Sequence, residues 1–255
     1  MLTATHIAKP LKPTLKPKLG KECVLAVILG QDTPTKKMNK LFDIKKNKNQ
    51  RLTKKDFVIG TIIAVVMLTI WIVGSSGMSL IATFVPGLIF AWTIFAILYF
   101  KQIELPDYNI FLPLYFLTLG WQFFHFTEEF MTNFKELFPT TYGGQPYSNN
   151  TFVAFNMSAY FIFIVAPILV YFKGLKFFLL PTLFFIVYGA MGNAISHSWW
   201  SIYLGKYFPG LYTAQAYWIF APIILTTLLK SKRLTGILIV AMTITLALTL
   251  TLLMK

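Results

Sequence analysis

From Phe57 to the C-terminus, apolar runs of about 20 residues recur between short polar breaks, and about 20 residues is the length that crossing a hydrocarbon core of about 30 Å requires. Seven such runs can be read: 57–74, 79–100, 110–130, 152–172, 175–200, 211–229 and 234–253. Backbone groups in lipid have no water to bond, and these runs lack the alternation of a barrel strand, so each reads as a helix. Pro86, Pro167, Pro181 and Pro222 then mark kinks. Composition agrees: the chain of 255 residues is 56% hydrophobic and 13% charged, against about 25% charged in soluble domains, which excludes a water-soluble globular enzyme. The expected fold class is an all-α polytopic integral membrane protein of about seven transmembrane helices.

Charge is distributed unevenly. Of 23 Lys and Arg residues, 14 lie within 1–56, so the net charge of +14 belongs mainly to a basic tail. Such tails can bind nucleic acid, but one that abuts apolar spans reads as an orientation signal beside anionic lipid, and no nucleic-acid partner is expected. The segment KPLKPTLKPK reads as extended and disordered. The lone Cys23 makes no internal disulfide and no CxxC pair exists. The short apolar stretch after Lys21 carries no cleavage signature, and Met38 offers an alternative start. With the tail inside, the inner segments carry twenty basic residues and the outer ones three, Lys135, Lys206 and Lys255. The positive-inside rule therefore places the N-terminus in the cytoplasm and the C-terminus outside.

The connection 131–151 contains FPTTYGGQPYSNN, whose Pro, Gly and Asn residues suggest a structured outer loop rather than a helix. The Asn149 and Asn156 N-x-S/T triplets read as chance occurrences.

The third run carries the chemistry. It reads TLGWQFFHFTEEF, with His125, Glu128 and Glu129 inside an otherwise mostly apolar span. An acidic residue near a bilayer centre costs about 2.5–3.5 kcal/mol on insertion scales, so such groups face the bundle interior and find partners. At about 100° per residue, Glu128 lies about 60° to one side of His125 and Glu129 about 40° to the other, on one face with Thr118, Trp121 and Gln122. The fifth run ends GAMGNAISHSWW, where Asn193 and His197, four apart, share a side. Gly189 and Gly192 would let helices approach closely there. A polar site between the third and fifth helices is thus expected just beneath the outer surface, with Asn156 and Tyr160 of the fourth run at similar depth.

HFTEE resembles the signature of the membrane family named for its HXXEE motif. NAISH is similar to that family's second Asn/His element, and YFPGLYTA to its Tyr-x-Pro-Gly segment. The resemblance covers about residues 110–230. It leaves 1–56 as a tail, 57–100 as two accessory helices and 234–253 as a C-terminal span, and it implies a bacterial inner (plasma) membrane and no established reaction.

Two imidazoles and a carboxylate form the ligand set through which catalytic zinc activates water. His125, His197 and Glu129 supply it, with iron or manganese as alternative ions. Glu128 is then the expected base, and Asn193 or Asn156 orients a ligand or holds substrate. Without metal, the adjacent glutamates and histidines still make an acid/base site for an isomerase or hydrolase, with Trp121, Trp199, Trp200 and Tyr207 as a lining for a lipid or other apolar small molecule. A proton or ion path is a third reading, which the lack of an internal repeat disfavours. A fourth is a purely structural polar pin between two helices. Trp199 and Trp200, at a helix end, fit an interfacial belt, Pro209 and Gly210 a turn, and His6 no role. No feature names an oligomeric state.

Overall fold

The computed structural model describes residues 50–255. The expectations for the tail before residue 50, including His6, Cys23 and Met38, lie outside the described residues. The first helix, α1 (Lys54–Val73), starts three residues inside the expected tail, because Thr53 and Asp56 close a capping box. The Thr53 side chain accepts from the Asp56 amide at 3.2 Å, and the Asp56 carboxylate accepts from the Thr53 amide at 3.0 Å. Helix α2 (Ser79–Phe100) lies against α1, and a side chain at Gly60 would stand 2.5 Å from the Phe95 ring, so the two helices touch almost backbone to ring. Next come α3 (Tyr108–Met131), the short α4 (Phe134–Thr141) and α5 (Asn149–Lys173).

The fifth run is not one regular helix. A 3-10 turn at Lys176–Phe178 leads into α6 (Leu179–Phe184), a π-helical stretch at Phe185–Gly192 and then α7 (Asn193–Leu204). The sixth run is likewise divided into α8 (Leu211–Ala214) and α9 (Tyr217–Leu229). Helix α10 (Lys232–Leu252) completes the chain, and the tight KSKR break holds because Lys230 takes a left-handed conformation and Ser231 caps the new helix. The described residues are helices and their connections, with no strand among them.

Six helices among the described residues are long and apolar enough to cross a membrane: Lys54–Val73, Ser79–Phe100, Asn149–Lys173, Lys176–Leu204, Leu211–Leu229 and Lys232–Leu252. The remaining expected run, the third, forms α3 and is helical over 24 residues, but its Gln, His and Glu residues lower its hydropathy below that of the others. Lys176–Leu204 is the central post: 89% of its most apolar stretch is buried, against 22% for Lys54–Val73 and for Lys232–Leu252. Helix α2 packs on α6, the π stretch and α10, and 57–100 belongs to one compact unit with the remaining helices.

Part of the expected loop is helical, since FKELFPTT forms α4 with Pro139 inside it. The remaining turn is tied down: the Ser76 hydroxyl donates to the Gln145 carbonyl at 2.7 Å, the Met78 amide to the Tyr142 carbonyl at 3.0 Å, and the Lys255 amide to the Thr141 carbonyl at 3.0 Å. Trp200 is a core residue rather than a belt residue. It is 1% exposed and its indole donates to the Tyr142 hydroxyl at 2.7 Å.

Candidate metal centre

Helix α3 turns one face inward, burying Thr118, Gln122, His125 and Glu129 while Leu117 and Phe124 stay exposed. Opposite it, α7 buries His197 in the turn after Asn193. Glu129 Oε1 lies 3.5 Å from His125 Nε2 and 3.3 Å from His197 Nε2. One ligating atom from each of the three residues lies within 4.8 Å of the others, and the two imidazole rings stand perpendicular at 89°.

The far side of each ring determines what the near side can do. His197 Nδ1 lies 2.6 Å from the Pro209 carbonyl, which can only accept, so Nδ1 carries the proton. His125 Nδ1 lies 2.9 Å from the Thr213 hydroxyl oxygen. That hydroxyl spends its single proton on the Glu128 carboxylate, so His125 Nδ1 must donate as well. In the neutral rings both Nε2 atoms therefore present lone pairs, and both are buried without a hydrogen-bond partner. Two lone pairs and a carboxylate oxygen facing one another repel unless a cation lies between them.

Two of the three separations suit a cation: donors bound at about 2.0–2.1 Å to a tetrahedral ion are about 3.3–3.4 Å apart, close to the observed 3.3 and 3.5 Å, whereas the 4.8 Å spread of the whole set would have to narrow around an ion. Doubly protonated histidines would instead draw the carboxylate to the 2.7–2.9 Å typical of charge-assisted bonds. Each ring also donates its second nitrogen to a fixed oxygen, as metal-bound histidines almost always do.

Glu128, the expected base, lies outside this three-residue cluster. Its Oε1 accepts from the Tyr207 hydroxyl at 2.7 Å and the Tyr212 amide at 3.1 Å, and its Oε2 from the Thr213 amide at 2.8 Å as well as the Thr213 hydroxyl. These amides are the free N–H groups at the start of α8, so Glu128 binds a helix N-terminus. Burial and the bond to Glu128 hold the Tyr207 phenol above its ordinary pKa. Glu128 thereby anchors the YFPGLYTA segment, which supplies the Pro209 and Thr213 oxygens to the two histidines. Gly210 is more than a turn residue: a side chain on it would stand 2.5 Å from His197 Cε1 and 3.0 Å from His125 Cε1.

Beside the cluster, a cavity of about 250 Å³ counts Glu129, Gln122, Asn156, Tyr160 and Asn193 among its lining residues. Asn193 is thus placed at the cavity, its amide donating to the Gly189 carbonyl at 3.0 Å in the π stretch. The Asn156 amide donates to the Phe152 carbonyl at 2.9 Å. The rest of the wall is mostly apolar, but Trp121, Trp199, Trp200 and Tyr207 are absent from it. Their polar atoms serve Thr213, Thr251, Tyr142 and Glu128. The wall comes instead from residues such as Trp71 of α1, Phe84 of α2, Phe155 of α5 and Phe184 of α6, which gives the first two helices a part in the site. Gly189 and Gly192 make room for Phe185 and Tyr188 of their own segment rather than for a neighbouring helix. No family model, curated protein or solved structure matches the chain.

Proposed function

We propose that this chain is a seven-span membrane protein of the HXXEE type whose His125, Glu129 and His197 hold a divalent metal for chemistry on an apolar substrate. The observation that carries the reading is the pair of buried Nε2 lone pairs turned toward one carboxylate, each fixed by a donor bond on its other nitrogen. When bound, the ion would supply Lewis acidity toward an oxygen atom. Zinc suits three such ligands, and iron or manganese accepts the same donors. The histidines lie fully buried behind Glu129, which faces the cavity, so the carboxylate side is where an outside molecule reaches the centre.

The metal-free acid/base reading needs two carboxylates together, and Glu128 is occupied at the α8 terminus. A structural pin would place protons between the rings and Glu129, which the 3.3 and 3.5 Å separations disfavour. Metal analysis of detergent-purified full-length protein tests the proposal. About one equivalent of zinc, iron or manganese per chain is expected, removable by a chelator and restored by the ion. Protein that stays metal-free after exposure to all three ions would overturn the metal centre.

Helix α3 completes the seven spans in this reading. Its 24 residues extend about 36 Å, and its exposed side carries Ile110, Leu117 and Phe124. The basic asymmetry sets the N-terminus in the cytoplasm and the C-terminus outside, in the bacterial inner membrane that the HXXEE resemblance implies. A reporter active only outside the cytoplasm should be silent when fused at residue 50 or 230 and active at 145 and 255. Activity at 50 with silence at 145 would reverse the orientation, and equal signals at 230 and 255 would remove the last span.

A further inference from the structure

Gln122 links three helices in one direction. The Tyr217 hydroxyl of α9 donates to Gln122 Oε1 at 2.6 Å, which leaves the Gln122 Nε2 to donate to the Tyr160 hydroxyl oxygen of α5 at 3.2 Å. Tyr160 therefore accepts there, and its own proton has no acceptor among the described residues. The residue is 4% exposed and lines the cavity together with Glu129. An unspent hydroxyl proton at a buried position calls for an acceptor oxygen from outside the chain.

The cavity limits what can carry that oxygen. Its walls are mostly aromatic and aliphatic, and its volume of about 250 Å³ falls below the roughly 300–1,000 Å³ of pockets that enclose a whole drug-sized ligand. It therefore takes one end of a longer molecule. Ile70 and Gly74 at the end of α1 and Thr151 at the start of α5 line the cavity and are exposed, so its mouth lies between those two helices. Behind this mouth the two helices meet through side chains, Trp71 against Phe155 at 5.5 Å. Apolar residues such as Ile62 and Val66 cover the outer face of α1, where a bilayer would deliver an apolar chain.

We propose that the cavity binds the carbonyl-bearing end of an uncharged apolar chain, such as a ketone or ester, with the Tyr160 hydroxyl donating to its oxygen beside the metal centre. Binding itself stands apart from the metal-centre reading, and only a reaction of the bound carbonyl would rest on it.

The test uses full-length protein in detergent, a medium-chain methyl ketone carrying a diazirine, and the corresponding hydrocarbon probe without the oxygen. Labelling should fall on the cavity-wall peptides around Phe155 and Phe184, and unlabelled ketone should compete. Tyr160→Phe should weaken ketone binding about two- to tenfold, the worth of one hydrogen bond to an uncharged group, and leave the hydrocarbon probe unchanged. Ala159→Leu, which fills the cavity from α5, should lower labelling by both probes. Ketone affinity that does not respond to Tyr160→Phe, or labelling confined to outer residues such as Ile62 and Leu117, would overturn the proposal. Metal content is measured on the same preparations. Metal-free protein with Tyr160-dependent binding would refute the metal centre and keep this inference, while metal-replete protein without that dependence would refute this inference alone.

Discussion

Glu129→Gln should lose its metal altogether, whereas Glu128→Gln should keep it with weakened affinity, although the two residues are neighbours in sequence and chemically identical. Glu129 supplies the one anionic donor facing the two Nε2 atoms. A neutral amide there removes the charge that balances the ion, and the expected fall in affinity exceeds the 10–100-fold that loss of an outer partner typically costs. Glu128 is such an outer partner, acting on His125 through Thr213. Glutamine at 128 must turn an amide N–H₂ toward either the Tyr207 and Tyr212 donors or the Thr213 pair. At least two bonds to a charged group are lost, about 2–4 kcal/mol of stability at a half-buried position, and metal affinity should fall by about 10–100-fold. Metal content, competitive metal affinity and thermal melting in detergent would separate the two variants. A metal-free Glu128→Gln beside a metal-replete Glu129→Gln would reverse the assignment, and full metal in both would remove the centre.

A second large effect is expected at a residue with no polar side chain. Gly210→Ala should lose metal binding and stability together, and Gly205→Ala should lose far less. Both glycines have left-handed backbones, at φ of 87° and 65°, so alanine at either meets the strain of that region, about 1–2 kcal/mol. Only at 210 does the added carbon meet atoms: His197 Cε1 at 2.5 Å, His197 Nδ1 at 2.8 Å and His125 Cε1 at 3.0 Å, with nothing within 4 Å at 205. The rings have no free direction, because His197 packs against Trp200 and Phe134 at 5.1 and 5.3 Å. Overpacking of this kind typically adds about 1–3 kcal/mol and moves the ligands themselves. Gly205→Ala thus serves as the strain-only control. Equal melting and equal metal content in the two variants would show that the loop does not clamp the histidines.

Spacing alone made much of the site legible. His125 and Glu129 at i and i+4 on α3, and Asn193 and His197 at i and i+4 on α7, are short-range helical relations, and the structure has both. The same rule could not separate Glu128 from Glu129, since 60° and 40° both fit one face. The difference comes from α8, whose open N-terminus lies beside one carboxylate and not the other. The role of YFPGLYTA was likewise hidden, because a Pro-Gly pair announces a turn but not the two imidazoles beneath it. Trp200 was misplaced for a similar reason. A tryptophan at a helix end reads as interfacial, and α4, itself read as loop, covers it together with Phe208.

By itself the sequence determined a chain of helices long and apolar enough to cross a membrane, where most of those helices lie, and which polar residues share one face of α3 and one side of α7. Hydrophobic length and helical period are local properties, carried by each segment whatever its neighbours do. The tertiary structure alone decided which glutamate faces the histidines, which nitrogen of each ring holds the proton, and that α1 and α2 wall the cavity. Each of these depends on atoms far apart in the chain, such as Thr213 on His125 and Trp71 on Phe155, and packing rather than period brings such pairs together.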